Sequence, residues 1–321
     1  MKGFMQRTTA VLICILCLSP SVLAAEELIP VGQVIGIELA DGSVTVAAFD
    51  EKLGSNAKAA GLQVGDRILT MDDKKVTCAR DVRYVLERSD GTVDVSVARQ
   101  GKEKHLQLTP QITKDGPKIG IYLKQGITGV GTVTWYDPET GDFGALGHGV
   151  NDPDGALLQM EQGTAYGATV QAVKKGEVGD PGQLVGAMSD PAPVGQVLKN
   201  TPSGIFGKSQ KGWAGQSLSV AQTDEIKTGP AVIRSTVKDS SVQEYSVEIL
   251  KIYPNSHSSG RNMLIKVTDP RLLETTGGIV QGMSGSPIIQ DGKLVGAVTH
   301  VLVNDPTTGY GIFIENMLNA A

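Results

Sequence analysis

The sequence predicts a mainly β chain in two parts, a small α+β segment followed by a longer segment built almost entirely of strands. Glycine is abundant, with 40 residues among 321, and short apolar runs alternate with Gly, Asp, Asn and Pro, as is typical of strands joined by turns. The length suits about two domains. The spacing of strands in the second part favours a sandwich or a closed barrel.

Residues 1–24 are predicted to be a signal peptide or a membrane anchor. Lys2 and Arg7 charge the start, an apolar run covers residues 10–18, and residues 22–24 (VLA) resemble a cleavage site for a signal peptidase. The apolar run is shorter than the roughly 20 residues that a membrane span needs. A cleaved signal is therefore favoured, whereas an uncleaved one would tether the chain outside the membrane. Either way, we expect export.

Charge and cysteine content exclude several partners. The net charge is −5 and no basic cluster occurs, so we do not expect nucleic acid to bind. Cys14 and Cys17 lie in the export segment, which leaves Cys78 without a partner for an internal disulfide. We interpret Cys78 as a small buried residue. Four scattered histidines and one cysteine show no metal-ligand spacing, so no metal or cofactor is expected.

The first part, residues 30–110, alternates short strands with two helices. A helix over residues 79–88 is indicated by Val82, Val85 and Leu86 at positions i, i+3 and i+4. The order of elements and the stretch AKAAGLQVGDRIL (57–69) resemble a bacterial PDZ domain. That resemblance implies a groove between the second strand (43–49) and the long helix, which would take an extended peptide by strand addition.

The second part, residues 119–321, follows a linker over residues 109–118 that contains two prolines and a glycine. A helix is predicted only near the end, over residues 314–320. Apolar runs typical of strands cover 119–123, 131–136, 169–173, 231–237, 245–252, 264–267 and 295–303.

A candidate nucleophile lies in the fragment GMSGSP (282–287), which resembles the nucleophile loop of chymotrypsin-like proteases and aligns Ser284 with their serine. A tight glycine-rich backbone can aim the amides of Gly282 and Ser284 at one point, as an oxyanion hole requires. Ser286 would then line the wall of the site. The fragment by itself is equally compatible with a turn before a buried strand (287–290).

A serine needs a base, and a third group must orient that base. Among the four histidines, His148 is the best candidate. It stands between glycines at the end of an apolar strand, and the chymotrypsin-like order places the base well before the serine. His105 is expected to be solvated and His257 lies in a polar loop. His300 ends a strand, where a structural hydrogen bond is the commoner role.

The orienting acid is less well specified by the sequence. Asp180 and Asp190 are compatible with ordinary turns. Asp269 precedes Pro270, which is also the pattern of a helix cap. In chymotrypsin-like order the acid lies between base and serine, usually nearer the base. The full set of candidates is Asp152, Asp154, Asp180, Asp190 and Asp269.

Long stretches resemble the stage IV sporulation protein B family of exported serine peptidases. The resemblance implies a PDZ domain followed by a chymotrypsin-like double β-barrel peptidase domain, with His148, Ser284 and Asp269 as catalytic residues. The stretches are 29–37, 129–150, 179–186, 200–208 and, above all, TTGGIVQGMSGSPIIQDGKLVGAVTHVLVNDPTTGYGIFIENML (275–318).

The resemblance also implies a biological role. Such a peptidase works between the mother-cell and forespore membranes and cuts itself in its N-terminal region. It also cleaves a membrane-bound regulator, which releases an intramembrane protease and activates a sigma factor. Two alternatives remain open: a non-enzymatic PDZ adaptor with a protease-like barrel, and a broad quality-control protease. In quality-control proteases the PDZ domain follows the peptidase domain, unlike here.

Overall fold

The computed structural model describes residues 27–152, 155–254 and 260–321. The predicted signal segment (1–24), Asp154 and His257 lie outside these ranges. Within them, no helix has both the length and the apolar character to cross a membrane.

Six strands close into a first barrel that buries Val133, Phe143 and Ile205. Closure is achieved because β2 pairs with β11 on one side and with β9 on the other. A short strand β1 (Glu27–Pro30) pairs with the end of β9 and with β14 (Leu218–Ser219). The barrel strands in spatial order are β9 (Ile121–Tyr136), β10 (Asp142–Ala145), β13 (Gly204–Ser209), β12 (Gln183–Thr201), β11 (Gln162–Lys174) and β2 (Val34–Phe49).

A second six-stranded closed barrel follows, around a core that includes Ile233, Ile249 and Ile265. Helix α3 (Pro270–Thr276) interrupts it, and helix α4 (Ile314–Leu318) packs between the two barrels. Its strands in spatial order are β15 (Gly229–Lys238), β16 (Ser241–Ile252), β17 (Met263–Val267), β20 (Asp305–Phe313), β19 (Lys293–Leu302) and β18 (Pro287–Gln290). The predicted mainly β fold, with a PDZ-like unit and a chymotrypsin-like double barrel, is confirmed.

The PDZ-like unit has its own core, in which the apolar face of the long helix packs on the strands through Val82, Val85 and Leu86. The hairpin of β7 (Gln111–Thr113) and β8 (Gly116–Lys118) occupies the stretch that the sequence suggested as a linker. The remaining elements are α1 (Ser55–Ala59), β3 (Arg67–Met71), β4 (Lys74–Lys75), α2 (Ala79–Leu86), β5 (Val93–Arg99) and β6 (Lys102–Leu108).

The PDZ-like unit and the first barrel share two strands. The first half of β2 pairs with β9 inside the barrel, and the second half pairs with β9 and β3 inside the PDZ-like unit. Residues 34–39, which the sequence assigned to the PDZ-like segment, are therefore barrel residues. The chain leaves the barrel along β2, forms the PDZ-like unit and returns to the barrel along β9. The PDZ-like unit is therefore an insertion in the barrel, and both long strands contribute to both cores.

The joint between the two units lies at a register shift in this strand pair. Residues 40–43 bulge out of β2 between its barrel half and its PDZ half, opposite Gly126. Gly126 has φ +64, and a Cβ there would lie 2.0 Å from the carbonyl oxygen of Leu39. Only glycine fits this close approach in the left-handed region.

We expect Gly126→Ala to destabilise the protein by at least about 1–3 kcal/mol, the usual cost of a strained backbone, because the new methyl group meets backbone atoms. Urea unfolding measures the loss. Gly129→Ala is the matched control, since a Cβ at Gly129, on the same strand, meets open space. Equal stability of the two variants would contradict the assignment of Gly126 as the joint.

Candidate active site

The segment around Ser284 forms a tight loop between α3 and β18. Two glycines, Gly282 (φ +98) and Gly285 (φ +95), give it its path. A Cβ on Gly285 would lie 2.0 Å from the carbonyl oxygen of Thr132 and 2.5 Å from the amide nitrogen of Leu146. The predicted glycine requirement of this loop thus has a definite cause, which is its close contact with the first barrel.

Strand β9 holds the loop from the side of the first barrel. The amide of Thr132 donates to the Ser284 carbonyl (2.9 Å), and the Thr132 hydroxyl donates to the Gly282 carbonyl (2.9 Å). The Thr134 hydroxyl, fully buried, donates to the Gly285 carbonyl (2.8 Å). From the second barrel, the Gly285 amide donates to the Val298 carbonyl (2.7 Å). Both barrels therefore fix the loop.

With its carbonyls held in this way, the loop leaves two amides available. Within the described ranges, neither the amide of Gly282 nor that of Ser284 donates a hydrogen bond to the chain. Both residues line the cavity beside the Ser284 hydroxyl. They can thus serve as the predicted oxyanion donors, because an oxyanion hole needs amides without an internal acceptor.

His148 follows β10 through a turn in which Leu146 and Gly147 both have positive φ. Its Nδ1 lies 2.9 Å from the carbonyl oxygen of Gly149. Since a carbonyl only accepts, Nδ1 carries the proton of the neutral ring and Nε2 keeps its lone pair. Burial lowers the pKa of His148 below 6.5, and the bond to Gly149 opposes this in part. The imidazole is thus held as a base.

A single cavity of about 510 Å³ between the barrels contains both His148 and Ser284. The Ser284 hydroxyl donates to the Thr299 carbonyl (2.8 Å), so the described geometry shows no hydrogen bond from Ser284 to His148. Attack requires the hydroxyl to leave Thr299 and point to Nε2 of His148, a tightening typical of substrate-bound sites. Apolar side chains dominate the walls: Ile37, Leu39, Ile127, Val130, Leu146, Ile279, Val280, Val301 and Val303.

Asp269 lies outside the lining of this cavity and caps helix α3. Its carboxylate accepts from the amides of Arg271 (2.9 Å) and Ser246 (3.3 Å) and pairs with the Arg271 guanidinium (2.8 Å). These bonds, led by the Arg271 side chain, lower its pKa to about 2. The structure does not bring Asp269 into contact with His148. Asp269 therefore occupies the helix-cap position that the Asp269-Pro270 pattern indicated.

The other candidate acids in the described ranges bond to groups other than His148. Asp180 pairs with Lys174 (2.6 Å) at the surface, and Asp190 accepts from the amide of Ala192 (2.8 Å). Asp152 accepts from the amide of Ala156 (2.9 Å).

Three further candidate residues lie outside the lining of the cavity. His105 is exposed on β6, 3.8 Å from Glu103. The prediction that Ser286 lines the wall of the site is wrong: Ser286 is fully buried outside the cavity lining and donates to the Ser235 hydroxyl of β15 (2.9 Å). Cys78 is half-buried at the start of α2.

The sequence did not predict that His300 lies beside His148. Its ring centroid lies 5.3 Å from that of His148, with 39° between the planes. Its buried Nδ1 has no hydrogen-bond partner in the described part of the chain. Burial, and then the nearby His148 and Arg261, lower its pKa to about 4. Its only sequence signal was its position at the end of the strand after the serine loop.

The sequence model of the family described as "SpoIVB peptidase S55" matches residues 115–318, nearly two thirds of the chain.

Among curated proteins, the chain is 33% identical over 112 residues to "Putative zinc metalloprotease R01501" of Rhizobium meliloti (strain 1021), covering 35% of this chain and 28% of that protein. It is 33% identical over 78 residues to "Metalloprotease MmpA" of Caulobacter vibrioides, covering 24% and 20%. The chain thus spans less than a third of the length of these relatives.

Two solved structures show low overall similarity. The PDZ domain of the SdrC-like protein Lmo2051 of Listeria monocytogenes has a TM-score of 0.22 at 23% identity, covering 25% of this chain and 85% of that one. The inactive form of the Rv3671c protease of Mycobacterium tuberculosis has a TM-score of 0.35 at 15% identity, covering 60% and 82%.

The position of Asp269 yields a test of its role. We expect Asp269→Asn to keep the activity per folded molecule within about tenfold, because asparagine is also a good helix cap. An asparagine in place of a base-orienting acid costs about 10⁴ in kcat, and a loss of that size would contradict the capping role. The measurement is kcat normalised to folded protein.

The same carboxylate gives a stability signature. Its pKa is about 2 in the folded state against 3.8 normally, so its stabilisation, about 2 kcal/mol, is present above pH 4. It is lost as pH falls from about 4 towards 2. Urea unfolding should show this pH-dependent loss in the wild type and a smaller one in Asp269→Asn.

The buried hydroxyl of Thr134 can be tested for its role in holding the serine loop. Thr134→Val keeps the shape of the side chain but leaves the Gly285 carbonyl without a donor, which costs about 1–3 kcal/mol. We expect a lower unfolding midpoint and lower peptidase activity. Thr128→Val, an exposed position on the same strand, is the control. A Thr134→Val protein as active and stable as the control would show that this bond does not hold the loop.

Proposed function

Because the chain belongs to the SpoIVB peptidase S55 family, we propose that it is a serine endopeptidase with Ser284 as nucleophile and His148 as base. The observation that carries the proposal is their meeting in one cavity between two closed barrels, beside two amides without an internal acceptor. A nucleophile, a base and oxyanion donors converging on one space are what acyl transfer requires.

The proposed reaction is acyl transfer to serine. Nε2 of His148 takes the proton of the Ser284 hydroxyl as its oxygen attacks the peptide carbonyl. The amides of Gly282 and Ser284 stabilise the oxyanion, and His148 returns the proton to the leaving amine. Water then repeats the sequence on the acyl-enzyme, so the serine is regenerated. The Gly149 carbonyl holds Nδ1–H throughout.

The relatives are named as metalloproteases, most of them as putative zinc enzymes, and these names describe the relatives alone. In this chain no histidine is followed by the Glu-x-x-His that would complete the His-Glu-x-x-His motif of many such enzymes. Among the described residues, no group of three or more His, Cys, Asp or Glu side chains is arranged to hold a metal ion. The residues that do converge on the cavity favour serine chemistry.

The PDZ-like unit supplies the second element of the proposal, a peptide groove. The groove lies between α2 and residues 119–123, at the start of β9. This differs from the expected position on the second strand, because residues 44–45 already pair with β9 and β3. Over residues 121–125, β9 pairs with β2 alone within the described chain. That leaves a free edge for strand addition.

We extend the proposal to the biological setting implied by the family. The enzyme would be exported, with or without a membrane tether, and would act between the forespore and mother-cell membranes. Its substrates would be a membrane-bound regulator and its own N-terminal region, and their cleavage would lead to sigma-factor activation. The apolar cavity walls support an extended peptide with a hydrophobic side chain beside the scissile bond.

The alternative is a peptide-docking adaptor that uses the PDZ groove alone. An adaptor would need the free edge of β9 but no reactive serine. It therefore predicts that Ser284→Ala keeps all function, whereas the peptidase proposal predicts loss of every cleavage.

Labelling by a fluorophosphonate probe distinguishes the two. We expect mass spectrometry to find the label on Ser284 in the wild type and none in Ser284→Ala. In His148→Gln the labelling rate should fall by a large factor, since general-base assistance contributes about 10²–10⁴. His105→Gln, far from the cavity on an exposed strand, is the matched control. Labelling elsewhere, or equal labelling in His148→Gln, would overturn the proposal.

A further inference from the structure

His300 has no role in the proposed reaction, yet its ring lines the same cavity as His148, with 5.3 Å between the ring centroids. We propose that together they form a binding site for a divalent transition-metal ion, Zn²⁺ in particular, and that this ion reversibly blocks the active site. The metal site stands on the imidazole pair alone, and only its inhibitory effect rests on the proposed function.

The spacing of the rings suits a shared ion. Zinc binds imidazole nitrogens at about 2.0–2.1 Å in tetrahedral geometry, which places the centroids of two bound rings about 5 Å apart. The observed separation is 5.3 Å. The centroids therefore have the separation of two rings bound to one ion, and rotation of the side chains would aim one nitrogen of each ring at it.

Each ring also has a nitrogen to offer. His148 uses Nδ1 for the Gly149 carbonyl, which leaves Nε2 with a free lone pair. A bond from the second ring nitrogen to a backbone carbonyl commonly orients a metal-binding histidine. His300 Nδ1 is buried and has no partner among the residues described. An unpartnered buried nitrogen costs free energy, and a metal–nitrogen bond would satisfy it.

The surroundings indicate a reversible site instead of a structural one. Structural zinc sites have four protein ligands, whereas the described residues that line this cavity offer two imidazoles and no carboxylate. Water, or the nearby Ser284 hydroxyl, would complete the coordination. An ion can enter the cavity without unfolding, and rotation of the His300 ring would turn its buried Nδ1 towards the ion.

Binding of the ion would stop catalysis for a simple reason. The lone pair on His148 Nε2 must accept the proton of Ser284, and the same lone pair would be donated to the metal. One electron pair cannot do both. The unloaded enzyme would be active and the loaded enzyme inactive, with no change in fold.

Metal binding is tested on the full chain carrying Ser284→Ala, which separates it from peptidase activity. We expect calorimetric titration with ZnCl₂ to show one ion per chain, and Cu²⁺ bound in its place to show coupling to two imidazole nitrogens by electron paramagnetic resonance. Adding His300→Gln should weaken binding by at least about 10–100-fold, the loss typical even of outer-shell partners. His105→Gln on the same background should change nothing.

Two results would overturn the site: unchanged zinc affinity in the His300→Gln protein, or copper coupled to fewer than two imidazole nitrogens. The inhibitory role is tested separately on the wild type, where zinc should suppress fluorophosphonate labelling of Ser284 and a chelator should restore it. Labelling that is unaffected at saturating zinc would overturn the inhibition. Zinc binding in a protein whose Ser284 never labels would instead refute the peptidase proposal and leave the metal site standing.

Discussion

The candidate site depends on the hydrogen bonds by which strand β9 holds the carbonyls of the serine loop. Thr132 and Thr134 supply two hydroxyls and one amide to Gly282, Ser284 and Gly285. Because these carbonyls are held from the first barrel, the intervening amides remain available for an oxyanion. The hydroxyl of Thr134 is fully buried, so the carbonyl it satisfies has no access to water as a substitute.

The same strand begins in the proposed peptide groove of the PDZ-like unit. Residues 121–125 present the free edge, and Thr132 lies seven residues further along strand β9. A peptide added at the edge would therefore extend the sheet that holds the serine loop. Docking there also raises the concentration of a tethered substrate near the cavity. The two units are thus joined by a shared pair of strands, since β2 and β9 belong to both.

Local sequence patterns predicted the tight turns and the helix cap, because these features depend on residues close together in the sequence. Glycines around Ser284 and His148 indicated strained turns, and both residues reach the same cavity. The Asp269-Pro270 pattern indicated a helix cap, whereas resemblance pointed to a catalytic acid that makes no contact with His148. The neighbourhood of His300 could not be predicted, because it arises where a strand of one barrel meets a turn of the other. The shared strands escaped prediction for a similar reason: the PDZ-like pattern marks a unit, but the pairs between β2 and β9, from Phe49–Ile121 to Val34–Thr132, are too far apart in sequence to leave a local signal.

The absence of a carboxylate beside His148, within the described chain, has an electrostatic consequence. In the proposed reaction, a carboxylate partner would stabilise the imidazolium formed when Ser284 attacks and would raise the pKa of His148. Here a neutral carbonyl, that of Gly149, holds the ring, and burial lowers the pKa. If Ser284 and His148 act as proposed, the imidazolium would gain less stabilisation than in a complete triad, and the chemical step would draw more on substrate positioning. Remote binding energy from a peptide groove is a means of supplying it, which suits an enzyme that cuts few bonds in selected partners better than one that degrades many proteins.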